Sequence, residues 1–132
     1  MFFFGVNMNC PNDLKYTEDH EWVRVNGNVA EVGVTDHAQS ELGDIVFIDI
    51  PDASAEVAQG EEFGTIEAVK TVAKMFAPVG GKIIAVNNEL NDTPETLNQD
   101  PYGDGWIVKI EMSNPADLDK IMDADAYKAL LG

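Results

Sequence analysis

The chain is poor in several kinds of residue, and each scarcity closes off a class of function. It carries one cysteine, Cys10, in 132 residues, so neither an internal disulfide framework nor a CxxC redox pair can be built from it. A single thiol near the chain start is expected as a free surface group, and it assigns no redox compartment. The two histidines, His20 and His37, belong to no HExxH or other ligand-spaced cluster, which leaves metal catalysis without a donor set. There is no GxSxG, and Gly103-Asp104-Gly105 does not continue into a GxGxxG fingerprint, so a serine nucleophile elbow and a phosphate cradle are both unsupported. Basic residues are few: 8 Lys and Arg stand against 24 Asp and Glu, a net charge of −16. Such a surface repels nucleic-acid phosphates and anionic membranes, which disfavours both as partners. The apolar opening Met1 to Val6 is far too short to span a bilayer and lacks the basic flank of a signal peptide, and no transit segment is recognised.

What is present reads as one compact domain. Apolar residues make up 45% of the chain, enough for a core at this size. Residues 1–10 read as an N-terminal extension, with Met8 as an alternative start, and 11–132 as a single domain. Glu21-Trp22-Val23-Arg24-Val25 and Asn28 to Val34 alternate about Asn26-Gly27, a hairpin signal of the type I′ kind. Thr35-Asp36 offers an N-cap and an acidic first turn to a short helix through Leu42, which Gly43 ends. Further strands are expected over Asp44 to Ile50 (stopped by Pro51), Glu62–Val69, Thr71–Ala77, Lys82 to Val86 and Gly105 to Ile110. Thr93-Pro94 and Asn114-Pro115 pair a capping residue with a proline suited to a first helical turn, and Asp123 to Leu131 reads as a closing helix. Short strands at close intervals indicate a sandwich or barrel.

The charge map singles out one lysine. From Ala68 to Asn88 there is no acid, while Lys70, Lys74 and Lys82 fall inside, giving +3 there and −19 elsewhere within the total of −16. Lys70 sits at an expected turn between two strands, where an unbranched stem can carry a covalent group outward. Taken alone, the pattern points first to an ordinary surface lysine discouraging edge pairing. His20-Glu21-Trp22 reads as a strand start whose aromatics find packing partners. Trp22 and Trp106 read as core or rim residues, and Glu61-Glu62 and Asp123 to Asp125 as solvated faces or helix starts.

The blocks Leu14-Lys15-Tyr16, His20-Glu21-Trp22, Gly33 to Gln39, Leu42 to Phe47, Glu67-Ala68-Val69-Lys70, Pro78-Val79-Gly80-Gly81, Val86-Asn87, Asn98, Asp100-Pro101-Tyr102 and Gly105-Trp106 follow one another in an order that resembles the H proteins of the glycine cleavage system. The resemblance covers the chain from about Pro11 onward. It implies a mainly β fold, the flattened lipoyl/biotinyl-type β-sandwich or barrel-sandwich hybrid, with short peripheral and C-terminal helices. It also implies a carrier that is not itself an enzyme, with lipoate attached covalently to Lys70. Glu67, three before the lysine, and Gly81, eleven after it, are then implied for recognition by the lipoate-attaching enzyme. Glu21 is implied in docking the loaded arm, a task that suits a carboxylate facing an ammonium.

The partners implied by the resemblance are the pyridoxal-phosphate glycine decarboxylase, which loads an aminomethyl group onto the arm, the folate-dependent aminomethyltransferase, which removes it, and dihydrolipoyl dehydrogenase, which reoxidises the dithiol. Tethering raises the effective concentration of cargo at each partner, and the acid excess predicts salt-sensitive docking to basic rims. The setting implied is cytoplasmic in a bacterium and the mitochondrial matrix in a eukaryote. Two departures stand out: Ala68 replaces the usual serine two before the lysine, and Lys74 stands where the family commonly has an acid, which bears on how the loaded arm is held. A carrier that relays lipoate to other acceptors would use the same lysine. An unmodified acidic interaction domain would use none. Val69 and Thr71 differ from the neighbours expected in acyltransferase lipoyl domains and biotin carriers.

Overall fold

The computed structural model describes residues 10–50 and 53–131. The alternative start, residues 1–9 of the expected extension and the strand stop at Pro51 lie outside the described residues. Among the described residues, nine strands and three α-helices follow in order: β1 Lys15–Tyr16, β2 Glu21–Asn26, β3 Val29–Val34, α1 Asp36–Leu42, β4 Ile45–Asp49, β5 Glu56–Val57, β6 Glu62–Ala68, β7 Val72–Phe76, β8 Gly81–Val86, α2 Thr96–Gln99, β9 Val108–Met112 and α3 Ala124–Leu131. Short 3-10 turns occupy Asn88–Asn91 and Pro115–Lys120. The strands form a six-stranded sheet in the order β1-β2-β3-β9-β8-β5 and a three-stranded sheet β4-β6-β7, every pairing antiparallel.

The main core lies between the two sheets. Val23, Val32, Ile83 and Ile110 from the large sheet pack with Ile48, Phe63, Ile66 and Met75 from the small one, all buried. Alternation makes this possible, because every second side chain of a strand points to one face. A second cluster of Cys10, Leu14, Tyr16, Trp22, Tyr102, Ala124 and Tyr127 joins α3 to β1 and β2. Tyr16 and Tyr127 stack with ring centroids 4.6 Å apart, and Trp22 Nε1 donates to the Pro101 carbonyl at 2.9 Å. Trp22 is thus a core residue, while Trp106 is half-buried with Lys109 Nζ 4.9 Å above its ring.

Three local expectations need correction. The first hairpin pairs Asn26 with Val29, so its turn is Gly27-Asn28; only Gly27 takes a left-handed φ, +62°, which is the type II′ pattern rather than I′. The strand expected from Gly105 starts at Val108, because Gly105 N–H donates back to the Asp100 carbonyl at 2.9 Å and Trp106 N–H to Gly103 at 3.1 Å. Cys10 is not a surface thiol but is buried, and desolvation pushes its pKa up. Two of the caps behave as read: Thr35 accepts from Ala38 N–H at 3.2 Å, and Asn114 from Ala116 N–H at 3.2 Å; Thr93 does not cap α2, whose N-cap position is held by Glu95 with no side-chain hydrogen bond. The two-residue strands β1 and β5 have no periodicity to betray them and are defined by their pairings, β1 with β2 and, at Tyr16, with Met122, and β5 with β8.

Candidate functional site

The site begins at the tip of the β6–β7 hairpin. Glu67 pairs with Val72, and Ala68 N–H donates to the Thr71 carbonyl at 2.8 Å, which leaves Val69-Lys70 as the tip. Both are exposed. The tip is braced from outside the hairpin: Val69 N–H donates to the Asp44 carbonyl at 3.0 Å, in the turn between α1 and β4. That turn is in turn clamped by Asn98, whose Nδ2 donates to the Gly43 carbonyl at 2.7 Å and to Gln39 Oε1 at 3.1 Å, and whose Oδ1 accepts from Ile45 N–H at 3.1 Å. The strands therefore fix where the lysine emerges while its side chain remains free to swing.

Glu67 belongs to the same surface. It is exposed on β6 and sits in register between Phe47 on β4 and Val72 on β7. Residues directly opposite one another in an antiparallel pair share a face, so Phe47, Glu67 and Val72 form a row across the small sheet, close to Lys70.

At the other end of β7 lies a cavity of about 340 Å³, walled by Tyr16, Thr17, Glu21, Gly60, Phe76 and Pro78 among others, with Asp19 and Lys120 also on its lining. Glu21 is only 2% exposed, so this strand-start acid lies inside the protein and not on its surface. Its Oε1 accepts from Thr17 Oγ1 at 2.5 Å, its Oε2 from Phe76 N–H at 3.1 Å, and its own N–H donates to Thr17 Oγ1 at 3.1 Å. The carboxyl thereby satisfies a backbone donor of β7, the edge strand of the small sheet, and bridges the two sheets. Burial pushes its pKa from 4.5 up to about 7, against the pull of the Thr17 and Phe76 hydrogen bonds and with help from Asp19. A carboxyl so placed is poised between neutral and ionised near neutrality, and an incoming ammonium draws it to the ionised form.

The structure thus brings Lys70 and Glu67 together and sets Glu21 at the far end of β7. Lys74 lies between them: Val72, Lys74 and Phe76 alternate with the more buried Ala73 and Met75, so the outer stripe of β7 runs from the tip to the cavity wall. Lys74 Nζ is 3.9 Å from Glu62 Oε1, an exposed pair. Gly81 is not near the tip. It opens β8, opposite Met112 and Val57, and a Cβ there would stand 2.0 Å from the Glu111 carbonyl oxygen, so close approach of the backbone alone requires glycine. Among the described residues no group of three or more His, Cys, Asp or Glu could hold a metal ion, and no helix is long and apolar enough to cross a membrane.

Several contributors escaped sequence reading. Thr17 and Phe76 act on Glu21 across 4 and 55 positions, and Asn98 acts on Gly43 across 55; nothing in local composition signals such partners. Asn98 stood in the blocks of resemblance without an assigned task.

Comparisons with known proteins converge. The family model described as Glycine cleavage H-protein matches residues 14–132. A glycine cleavage system H protein from Symbiobacterium thermophilum is 53% identical over 121 residues, 92% of this chain and 94% of the relative. Another from Bacteroides fragilis is 52% identical over 124 residues, 94% of this chain and 98% of the relative. The crystal structure of a glycine cleavage system H protein from Mycobacterium marinum superposes with a TM-score of 0.86 at 35% identity, covering 92% of this chain and 98% of that one.

Proposed function

The chain belongs to the glycine cleavage H-protein family and is a lipoyl carrier of the glycine cleavage system; from that premise we propose that Lys70 is the attachment residue and that the cavity beside Glu21 shelters the loaded arm. The observation that carries the assignment is the exposed lysine at a braced hairpin tip, in register with exposed Glu67. The residues fit the group. A lysine stem at a tip offers its amine without steric obstruction, and the cavity at the other end of the β7 stripe offers apolar walls with one buried carboxyl.

Attachment needs the neutral ε-amine of Lys70 to attack the activated carboxyl carbon of lipoate. A C–N amide bond forms, the bond to the activating group breaks, and the amine loses a proton. Once attached, the lipoyl group supplies a disulfide–dithiol couple able to accept and release an aminomethyl group, chemistry that the chain's own side chains lack. The chain contributes position and a docking site: the paired strands fix the tether's origin, and Glu21 receives an ammonium in the cavity between β2 and β7. Catalysis rests with the partners: the pyridoxal-phosphate glycine decarboxylase, the aminomethyltransferase and dihydrolipoyl dehydrogenase. Glu67 is read directly by the lipoate-attaching enzyme, and Gly81 acts through shape by permitting the approach of β8 to Glu111. With this reading goes a cytoplasmic setting in a bacterium, or the mitochondrial matrix in a eukaryote.

The test is intact mass and peptide mapping of protein from a lipoate-competent host, followed by glycine–bicarbonate exchange with glycine decarboxylase. Wild type is expected to carry one lipoyl adduct on the peptide containing Lys70 and to support exchange, and Lys70→Arg to do neither. An adduct elsewhere, or exchange surviving in Lys70→Arg, overturns the assignment. An adduct on Lys70 without exchange would mark a relay of lipoate to other acceptors.

A further inference from the structure

The described residues include seven exposed large apolar side chains, and four of them gather at the Lys70 end of the small sheet: Val46, Phe47, Val69 and Val72, at 49, 50, 75 and 61% exposure. Two of these arise from a β-bulge. Ile45 pairs with Ala68 and Phe47 with the next residue back, Glu67, so Val46 is an extra residue in β4. A bulge breaks strict alternation, and here two successive apolar side chains come out to solvent instead of one. Phe47 and Val72 flank Glu67 in one row, and Val69 is the tip neighbour of Lys70.

The rim of the patch is charged, with exposed Lys70 and Lys74 on the hairpin and acids on the side of α1 and β4. Asp44, exposed, gives its carbonyl to Val69, and Glu41 is exposed on the last turn of α1. An apolar centre with a charged rim is the anatomy of an interface, and a chain of net charge −16 has no shortage of polar residues with which to cover this face. Clustered exposed apolar groups of this kind mark interaction sites.

We propose that Val46, Phe47, Val69 and Val72, with Glu67 among them, form the docking surface for the enzyme that acylates Lys70, an enzyme presenting an apolar hollow with basic side chains opposite Glu67 and Asp44. The inference rests on Lys70 being the attachment residue. Reach selects this occupant over the enzymes that act later. The attaching enzyme must bring its reacting centre to Nζ, one lysine side chain from the hairpin, so it necessarily covers the surface around the tip. Enzymes acting on the distal ring of the attached group meet a longer tether and are under no such constraint.

The experiment uses the full, unmodified chain with a purified ATP-dependent lipoate–protein ligase and lipoate, following intact mass with time at several carrier concentrations. Phe47→Ser and Val72→Thr are expected to raise KM for the carrier about tenfold or more while leaving kcat near wild type. Val25→Thr and Ile84→Ser, which change exposed apolar residues elsewhere, are expected to leave both unchanged. Val69→Ser repeats the test at a three-quarters exposed position, where no core contact is lost, should Phe47→Ser unfold. Wild-type KM in Phe47→Ser and Val69→Ser overturns the proposal. So does normal acylation coupled to a loss of exchange with glycine decarboxylase, which would assign the patch to that enzyme. If wild type gains no adduct on Lys70, the attachment assignment itself fails and the docking surface falls with it, a result distinct from equal acylation of all variants.

Discussion

The Lys70 side chain rests over Gly43: a Cβ on that glycine would lie 3.7 Å from Lys70 Cε and 4.0 Å from Nζ. Gly43 is the C-cap of α1, with φ +78° and its N–H donating to the Gln39 carbonyl. The ammonium therefore sits at the carbonyl end of a short helix, where cations are favoured, and the lysine has a resting position as well as freedom to leave it. Asn98 holds that end of the helix in place through Gly43, Gln39 and Ile45. Asn98→Ala is expected to cost about 1–3 kcal/mol, the range for leaving partly buried polar groups unpaired. Because the same turn braces Val69, acylation of Lys70 is expected to slow as well. Urea unfolding measures the first and mass-monitored acylation the second; an unchanged rate in a destabilised variant would confine Asn98 to stability alone.

Glu21 makes stability fall as pH rises. Its folded pKa, about 7, is raised above 4.5, so the folded state holds a proton through a window in which the unfolded chain has lost it. The stabilising contribution is complete below about 4.5 and is lost as pH climbs through 7. Glu21→Gln retains an acceptor for Phe76 N–H and can donate to Thr17, imitating the protonated carboxyl. It is expected to be the more stable of the two at pH 8, by at most about 3 kcal/mol, with the advantage vanishing near pH 4.5. Denaturation midpoints across pH 4.5–8.5 measure the difference between the two proteins, which removes the contributions of the other carboxyls common to both. Parallel profiles would refute the buried proton.

The same two residues show what can and cannot be read from a sequence. The hairpin around Lys70 was legible because strands alternate, Lys70 breaks the pattern at a turn, and acids are missing from 68–88. The short helix was legible through Thr35 and Gly43, which act on their own neighbours. By contrast, the burial of Glu21 depends on Phe76, 55 positions away, and in sequence an acid beside His20 reads as solvent-facing. The expected strand over Asp44 to Ile50 likewise gave no sign of which side chains in Ile45-Val46-Phe47-Ile48 face solvent, and the bulge turns Val46 and Phe47 outward. A bulge is fixed by pairing with β6 and leaves no period of its own. Cys10 was misplaced for a similar reason: its burial comes from Tyr16 and the α3 side chains that fold over it.

Gly81 separates a shape requirement from a recognition requirement. A methyl group there meets Glu111 oxygen at 2.0 Å, with φ at +154°, so Gly81→Ala must push β8 and β9 apart. A loss of more than about 2 kcal/mol is expected, as for other overpacked and strained positions. Gly60→Ala, a left-handed position with nothing within 4 Å, is expected to pay only the backbone conformational cost, about 1–2 kcal/mol. If Gly81→Ala folds as stably as Gly60→Ala yet resists acylation, Gly81 acts on the enzyme directly and not through shape.

Lys74 occupies the middle of the stripe between the tether and the cavity, with the exposed carboxylate of Glu62 at 3.9 Å. If the loaded amine docks at Glu21 as proposed, a cation there repels it, and Lys74 is expected to lower retention of the aminomethyl group. Lys74→Asp reverses the sign. An exposed charge contact is worth about 0.2–1 kcal/mol, so release of the group is expected to slow by roughly 1.5- to 5-fold. The gap between wild type and variant is expected to narrow as ionic strength rises and the Debye length shrinks. Lys74→Met, which removes charge but keeps a long apolar stem, is expected to fall between them. Release kinetics of the loaded carrier at low and high salt test the ordering, and equal retention in all three proteins would eliminate any electrostatic part for Lys74.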